Sequence, residues 1–177
     1  NATGAGLSSL SGLTELNYLS LNWTQVGDGG LAHLSRLTNL GVLYLCDTNT
    51  ADAGLLSLKG MSKLQWLDLR GTQVTDAGVV HLSNLPQLRL LSLHGTHLTD
   101  AGIPPLTELP NLEVLTISQT RVTDAGLLPL TKLPRLSDVD LTGTNVTPAG
   151  IDNLRRALPN CRVRFQIASP PSKHVME

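Results

Sequence analysis

Several stretches of this sequence hold residue types that do chemistry. Asp138 and Asp140 stand two apart, which puts both carboxylates on one side of a strand, and paired carboxylates can cleave glycosides. The stretch HGTH, His94 to His97, offers two imidazoles to a metal. Cys46 and Cys161 carry thiols. The stretch GTQVTDAG, Gly71 to Gly78, combines glycines, hydroxyls and an acid as a phosphate-cradling loop or catalytic turn would.

The last of these is decided by its copies. The chain also reads WTQVGDGG from Trp23, DTNTADAG from Asp47, GTHLTDAG from Gly95, QTRVTDAG from Gln119 and GTNVTPAG from Gly143. Each copy begins 24 residues after the previous one. A loop that binds one ligand needs no copies, whereas a loop that builds a solenoid must recur. The other stretches weaken in the same frame. His97 falls beyond the strand that carries His94, and no third ligand stands at sensible spacing. A flat open sheet would give Asp138 and Asp140 no pocket. Cys46 is expected on the exposed side of the sheet beside Asp47, which disfavours its thiolate, and a whole repeat separates it from His94. Two distant cysteines make neither a disulfide framework nor a zinc site. The triplets NAT, NWT and NVT match a glycosylation pattern, yet two of them borrow a threonine that the repeat already supplies. Catalytic, metal and cofactor residues are therefore expected to be absent.

The elements that position these residues follow from the period. Rows begin at Leu16, Leu40, Leu64, Leu88, Leu112 and Leu136, and each follows L-x-x-L-x-L-x-x-T with few exceptions. The alternation predicts a short strand whose inward side chains are Leu19 and Leu21, Leu43 and Leu45, and their equivalents. A turn follows, then a short helical segment with leucines on one face, such as Leu127, Leu130 and Leu133. Its threonine is the expected N-cap and its aspartate sits near the positive end of the helix dipole. The last copy supports this register, because Pro148 replaces the aspartate at a position that favours proline. Pro104, Pro105 and Pro129 predict shorter or irregular helical segments in rows four and five.

Composition fits. Aromatic residues make up 3% of the 177 residues, so leucine, not phenylalanine or tryptophan, fills the core. The net charge of −1 gives no overall pull on nucleic acid or anionic lipid. No apolar run approaches the roughly 18 residues of a membrane span. The first residues lack the features of a signal peptide, and the compartment, cytoplasmic or exported, stays open.

The pattern resembles the leucine-rich-repeat family, over residues 2 to about 165. The "VTDAGL" form looks like bacterial leucine-rich repeats and like the repeats of F-box-type substrate receptors. The resemblance implies an α/β solenoid: a right-handed superhelix, a parallel sheet on the concave face, short helices or 3₁₀ turns on the convex face. It also implies a protein that binds other proteins and is not an enzyme. One position departs from the family. Thr24, Thr48, Thr72, Thr96, Thr120 and Thr144 stand where asparagine is usual. The family's asparagines bond to the backbone of neighbouring turns, and a threonine ladder is expected to do part of that.

The expected organisation is a repeat domain over 1–167, with a half repeat at 2–15, six repeats over 16–160 and a closing strand near 161–167. A flexible tail is expected over 168–177. The half repeat lacks a strand and a polar cap, which predicts that a preceding domain or another copy covers that edge. In CRVRFQI, Cys161, Val163, Phe165 and Ile167 are expected to face inward, with Phe165 closing the last layer.

Function is expected on the outward strand positions, which vary without harm to the core. All four Tyr and Trp residues fall there, in the first three rows. The predicted partner-binding set is Tyr18, Trp23, Tyr44, Trp66, Asp68, Arg70, Arg89, Leu90 and His94. Tyr, Trp and Arg are enriched at binding hot spots. The expected partner is a protein gripped on the concave face. A spacer segment of a larger protein, or a carbohydrate- or peptide-binding module, are the alternatives.

Overall fold

The structure is a computed structural model that describes residues 4–166. Seven strands form one parallel sheet in chain order: β1 (Tyr18–Ser20), β2 (Val42–Tyr44), β3 (Trp66–Asp68), β4 (Leu90–Ser92), β5 (Val114–Thr116), β6 (Asp138–Asp140) and β7 (Arg162–Arg164). The register never slips. Leu19 pairs with Leu43, Leu43 with Leu67, Leu67 with Leu91, Leu91 with Leu115, and so on to Val163. Equivalent residues therefore stack in columns. Leucines 43, 67, 91 and 115 are completely buried, and those columns are the core.

The convex side carries α1 (Asp28–Leu31), α2 (Asp52–Leu55), α3 (Asp76–Val79), α4 (Ile103–Leu106), α5 (Asp124–Leu130) and α6 (Pro148–Ala157). Three-residue to five-residue 3₁₀ turns extend the first three, and Asp100–Gly102 precedes α4 as another. Row four is thus irregular, as its prolines predict. Row five is not: α5 runs through Pro129 for seven residues and is longer than α1 to α4. Proline costs one amide bond there, but Leu127 and Leu130 on the same face are buried in the core and hold the segment helical. The expectation of a shortened row five is corrected accordingly.

Each of β1 to β6 is followed by a tight turn with one residue in the left-handed region. Gly71, Gly95 and Gly143 adopt it at φ 66 to 70°, and the non-glycine residues Trp23, Asp47 and Gln119 at φ 53 to 56°. The row threonines do not bridge neighbouring turns. Each Oγ1 donates to the carbonyl three residues earlier in its own row, at 2.6–2.8 Å, from Thr24 through Thr144. A threonine side chain reaches its own turn but is one bond shorter than asparagine. The inter-repeat ladder is carried by other residues.

Those residues are the aspartates. Asp52, Asp76, Asp100 and Asp124 each accept the backbone N–H of the next row's capping threonine at 2.7–2.8 Å. Their second oxygen accepts that threonine's hydroxyl at 2.6 Å. The same hydroxyls, of Thr75, Thr99, Thr123 and Thr147, accept an N–H of the helix that follows, at 3.2–3.3 Å. The predicted caps are therefore present in four rows, while α1 and α2 start after Gly27 and Ala51 with no side-chain cap. The contact is close. A Cβ at Gly78 would run into the Asp52 carboxylate and lie 3.0 Å from its Cα, so only glycine fits.

The two ends differ. At the N-terminal edge a 3₁₀ helix, Gly4–Leu10, packs on α1, yet Leu13 stays half exposed and Leu10, Leu16 and Leu19 are only partly buried. At the other end Cys161 is buried, and Val163 and Phe165 are partly buried against the core while Arg162, Arg164 and Gln166 face out. Ile167 and the tail over 168–177 lie outside the described residues.

Candidate binding face on the concave side of the sheet

Side chains alternate along a strand, so the third and fifth positions of each row point away from the core. The in-register sheet then sets them in two parallel columns. Tyr18, Val42, Trp66, Leu90 and Val114 form one, and Ser20, Tyr44, Asp68, Ser92 and Thr116 the other. Tyr44 is diagonal to both Tyr18 and Trp66. Its ring lies 5.6 Å from the Tyr18 ring at 78° and 5.9 Å from the Trp66 ring at 79°, edge to face in both cases. Such pairs contribute about 0.5–1.5 kcal/mol beyond area burial. Tyr18 is 55% exposed and Trp66 40% exposed, so the row presents aromatic surface that no neighbouring side chain covers.

Trp66 and Leu90 form a ridge between two depressions. One, of about 600 Å³, is lined by Tyr44, Asp68, Arg70, His94, Gln119 and Asp140 among others. The second, of about 330 Å³, is lined by Val42, Gln65, Arg89, Leu90, Glu113 and Val114 beside Trp66. The sheet is a trough and not flat, and Asp140 sits in it.

The predicted set is therefore mostly brought together, with corrections. Tyr18, Tyr44, Trp66 and Leu90 share one surface, with Arg70, Arg89 and His94 beside it. Trp23 is 75% exposed, in the turn at φ 56°, outside the ring row. Asp68 was expected on the surface but is buried. Its carboxylate accepts the Arg70 N–H and the Arg70 guanidinium, each at 3.0 Å, so it holds Arg70 in place at the wall of the larger depression. Cys46 was expected exposed and is also buried, under Asp47, whose carboxylate accepts its thiol at 3.1 Å. Burial, then the Asp47 bond, push the Cys46 thiol up to about 11, so it is protonated at neutral pH. His97 stands past the turn and lines neither depression.

Besides the Asp68–Arg70 pair within row three, two ion pairs on this face join neighbouring rows. Arg89 forks onto Glu113 at 2.9 and 3.1 Å, and Arg164 onto Asp138 at 2.7 and 3.1 Å. The bond to Arg89 lowers the Glu113 pKa and raises that of Arg89. The Asp68 charge raises Arg70, and burial followed by the Tyr18 and Asp68 charges raises the Tyr44 phenol. His94 Nδ1 shares a 2.8 Å hydrogen bond with Ser118. Asp140 accepts the Thr142 N–H at 2.9 Å. Sequence reasoning left Asn22, Gln119, Asp140 and Arg164 out of the set, although all line the larger depression. Their row positions marked them as outward, but chemistry alone gave no reason to prefer them over their neighbours.

The arrangement offers stacking, apolar contact and paired hydrogen-bond donors and acceptors. Among the described residues, no group of three or more His, Cys, Asp or Glu could hold a metal, and no helix is long and apolar enough to cross a membrane.

Residues 38–98 and 13–35 each match a family model described as leucine rich repeat. No curated protein matches the chain. Among solved structures, an internalin from Listeria monocytogenes superposes with a TM-score of 0.71 at 21% identity, over 92% of this chain and 51% of that one. Internalin C2 from the same species superposes with a TM-score of 0.60 at 26% identity, over 97% of this chain and 80% of that one. This chain thus spans about half the length of the first.

Proposed function

We propose, from the premise that this chain belongs to the leucine-rich-repeat family, that it is a non-enzymatic module that recognises a protein on its concave face. The observation that carries the reading is the row Tyr18, Tyr44 and Trp66. The chain keeps every Tyr and Trp out of its core, and three of the four interlock edge to face on the concave side of the sheet. Aromatic side chains lose little conformational entropy on binding and contribute large contact area, which is why they anchor interfaces. The two depressions flanking the ridge would take side chains of the partner, and Arg70, Arg89 and His94 would meet its polar groups. Internalins share the fold.

The test compares pull-downs of a partner by the unaltered chain and by alanine variants. Trp66→Ala and Tyr44→Ala are expected to lose most of the bound partner, while His33→Ala and His81→Ala on the convex side keep it. Equal losses from both faces would remove the proposal. A glycan array on the same proteins separates protein recognition from carbohydrate binding, which Trp66 beside a polar trough could also serve. The N-terminal edge, with its half-exposed Leu13, is proposed as a secondary contact with a neighbouring domain or another copy.

A further inference from the structure

The convex side carries a pattern that concave recognition does not use. Its helical segments lie side by side, every one running from the same edge of the solenoid to the other. One position in the middle of these segments is outward and apolar in four successive rows: Leu56, Val80, Pro104 and Leu128. Leu128 is 73% exposed, Leu56 53% and Val80 51%. Three residues earlier, on the same face of the segment, stands an exposed alanine in each row: Ala53, Ala77, Ala101 and Ala125. The ribbon ends where the position becomes Asp152 in row six.

The two edges of this ribbon differ in sign. Asp28, Asp52, Asp76, Asp100 and Asp124 line the edge where the segments start. Arg36, Lys59, Lys132, Arg155 and Arg156 line the edge where they finish, while row three has the uncharged Ser83 and Asn84 there and row four has Glu108. A seven-residue segment separates the edges by about 10–14 Å. A surface built as acid, apolar and base in parallel stripes complements itself in one orientation. Rotate a copy by half a turn about the direction in which rows succeed one another. Apolar stripe then meets apolar stripe, and each acidic edge meets a basic one. Rotation about the direction of the helices instead sets acid against acid.

We propose that two copies of this chain associate back to back through this ribbon, rows running the same way and facing helices antiparallel. Equal rows then face each other. Asp28 meets Arg36, Asp52 meets Lys59 and Asp124 meets Lys132 of the other copy, while row three sets Asp76 against the uncharged Asn84 and row four sets Asp100 against Glu108. The helix dipoles are opposed favourably as well. The concave faces point outward on opposite sides, so the pair displays two recognition surfaces.

The experiment is sedimentation equilibrium on the 177-residue chain over a concentration series, with circular dichroism to check that each variant is folded. A monomer–dimer equilibrium is expected. Leu128→Glu and Leu56→Glu should each weaken it by about tenfold or more, a loss of about 1.4 kcal/mol. Lys132→Glu should weaken it several-fold, and Glu108→Lys should tighten it by removing the one row that sets acid against acid. Added salt should shrink both charge effects. A monomer at every concentration overturns the proposal. So does a dimer that survives both leucine variants but is lost in Leu13→Glu, because that dimer would use the N-terminal edge. Glu108→Lys that loosens the dimer overturns the orientation.

Discussion

Asp76 at the corner of the solenoid and Asp140 on its open sheet are the same residue in opposite employment. Asp76 accepts both the N–H and the hydroxyl of Thr99 in the next row, and Asp52, Asp100 and Asp124 do the same. Asp140 accepts one N–H of its own row, from Thr142 just past the strand, and otherwise faces the trough. The corner can be copied because its partner is always the backbone and cap of the following repeat. The sheet face need not be copied, because its neighbours are solvent and whatever binds. Repetition in this chain marks scaffold and variation marks the candidate surface.

The comparison is broken most sharply in two adjacent residues. Leu91 is completely buried and Leu90 is half-buried on the concave ridge. Leu91→Ala should cost about 2–5 kcal/mol in urea unfolding, from lost burial and the cavity left behind. Leu90→Ala should cost well under half of that. Similar losses would mean that the ridge is scaffold too.

The aspartate ladder comes next. Asp76→Ala leaves the Thr99 N–H and hydroxyl without their acceptor, and a cost of about 1–3 kcal/mol is expected in the same measurement. Asp140→Ala frees a single N–H, that of Thr142, beside open solvent and should barely move the midpoint. A large effect of Asp140 would place it in the framework.

The smallest effect concerns the thiols. The Cys46 pKa is raised from 9.0 to about 11, so native protein at pH 8 should react slowly with a thiol reagent and quickly once denatured. The sign for stability follows. The folded state holds this proton longer than the unfolded chain, so folding loses strength as pH rises from 9 towards 11 and is untouched below. Prompt native labelling would show Cys46 open to solvent on the sheet.

Much of this was legible before the structure. The period gave the strands, the inward leucines, the capping threonines and the outward positions, because burial in a repeat recurs with the repeat. It did not give the partner of each aspartate. A carboxylate in a first helical turn has a sufficient local reason to be there, and only stacking brings it against the next row's threonine. The threonine column was misassigned for the converse reason: a short hydroxyl finds its own carbonyl 2.6–2.8 Å away before it can reach a neighbour. Asp68 and Cys46 were placed on the correct side of the sheet and at the wrong depth. Outwardness follows from parity, whereas burial depends on what Arg70 and Asp47 do above them.

The sequence by itself determined the solenoid, its register and which side chains leave the core, since each depends on spacing along the chain. The tertiary structure alone decided that Tyr18, Tyr44 and Trp66 interlock, that a trough opens on either side of them, and that acidic and basic edges flank an apolar ribbon on the back. Those relations run between rows. They exist only once residues 24 or more apart are stacked within a few ångströms of one another.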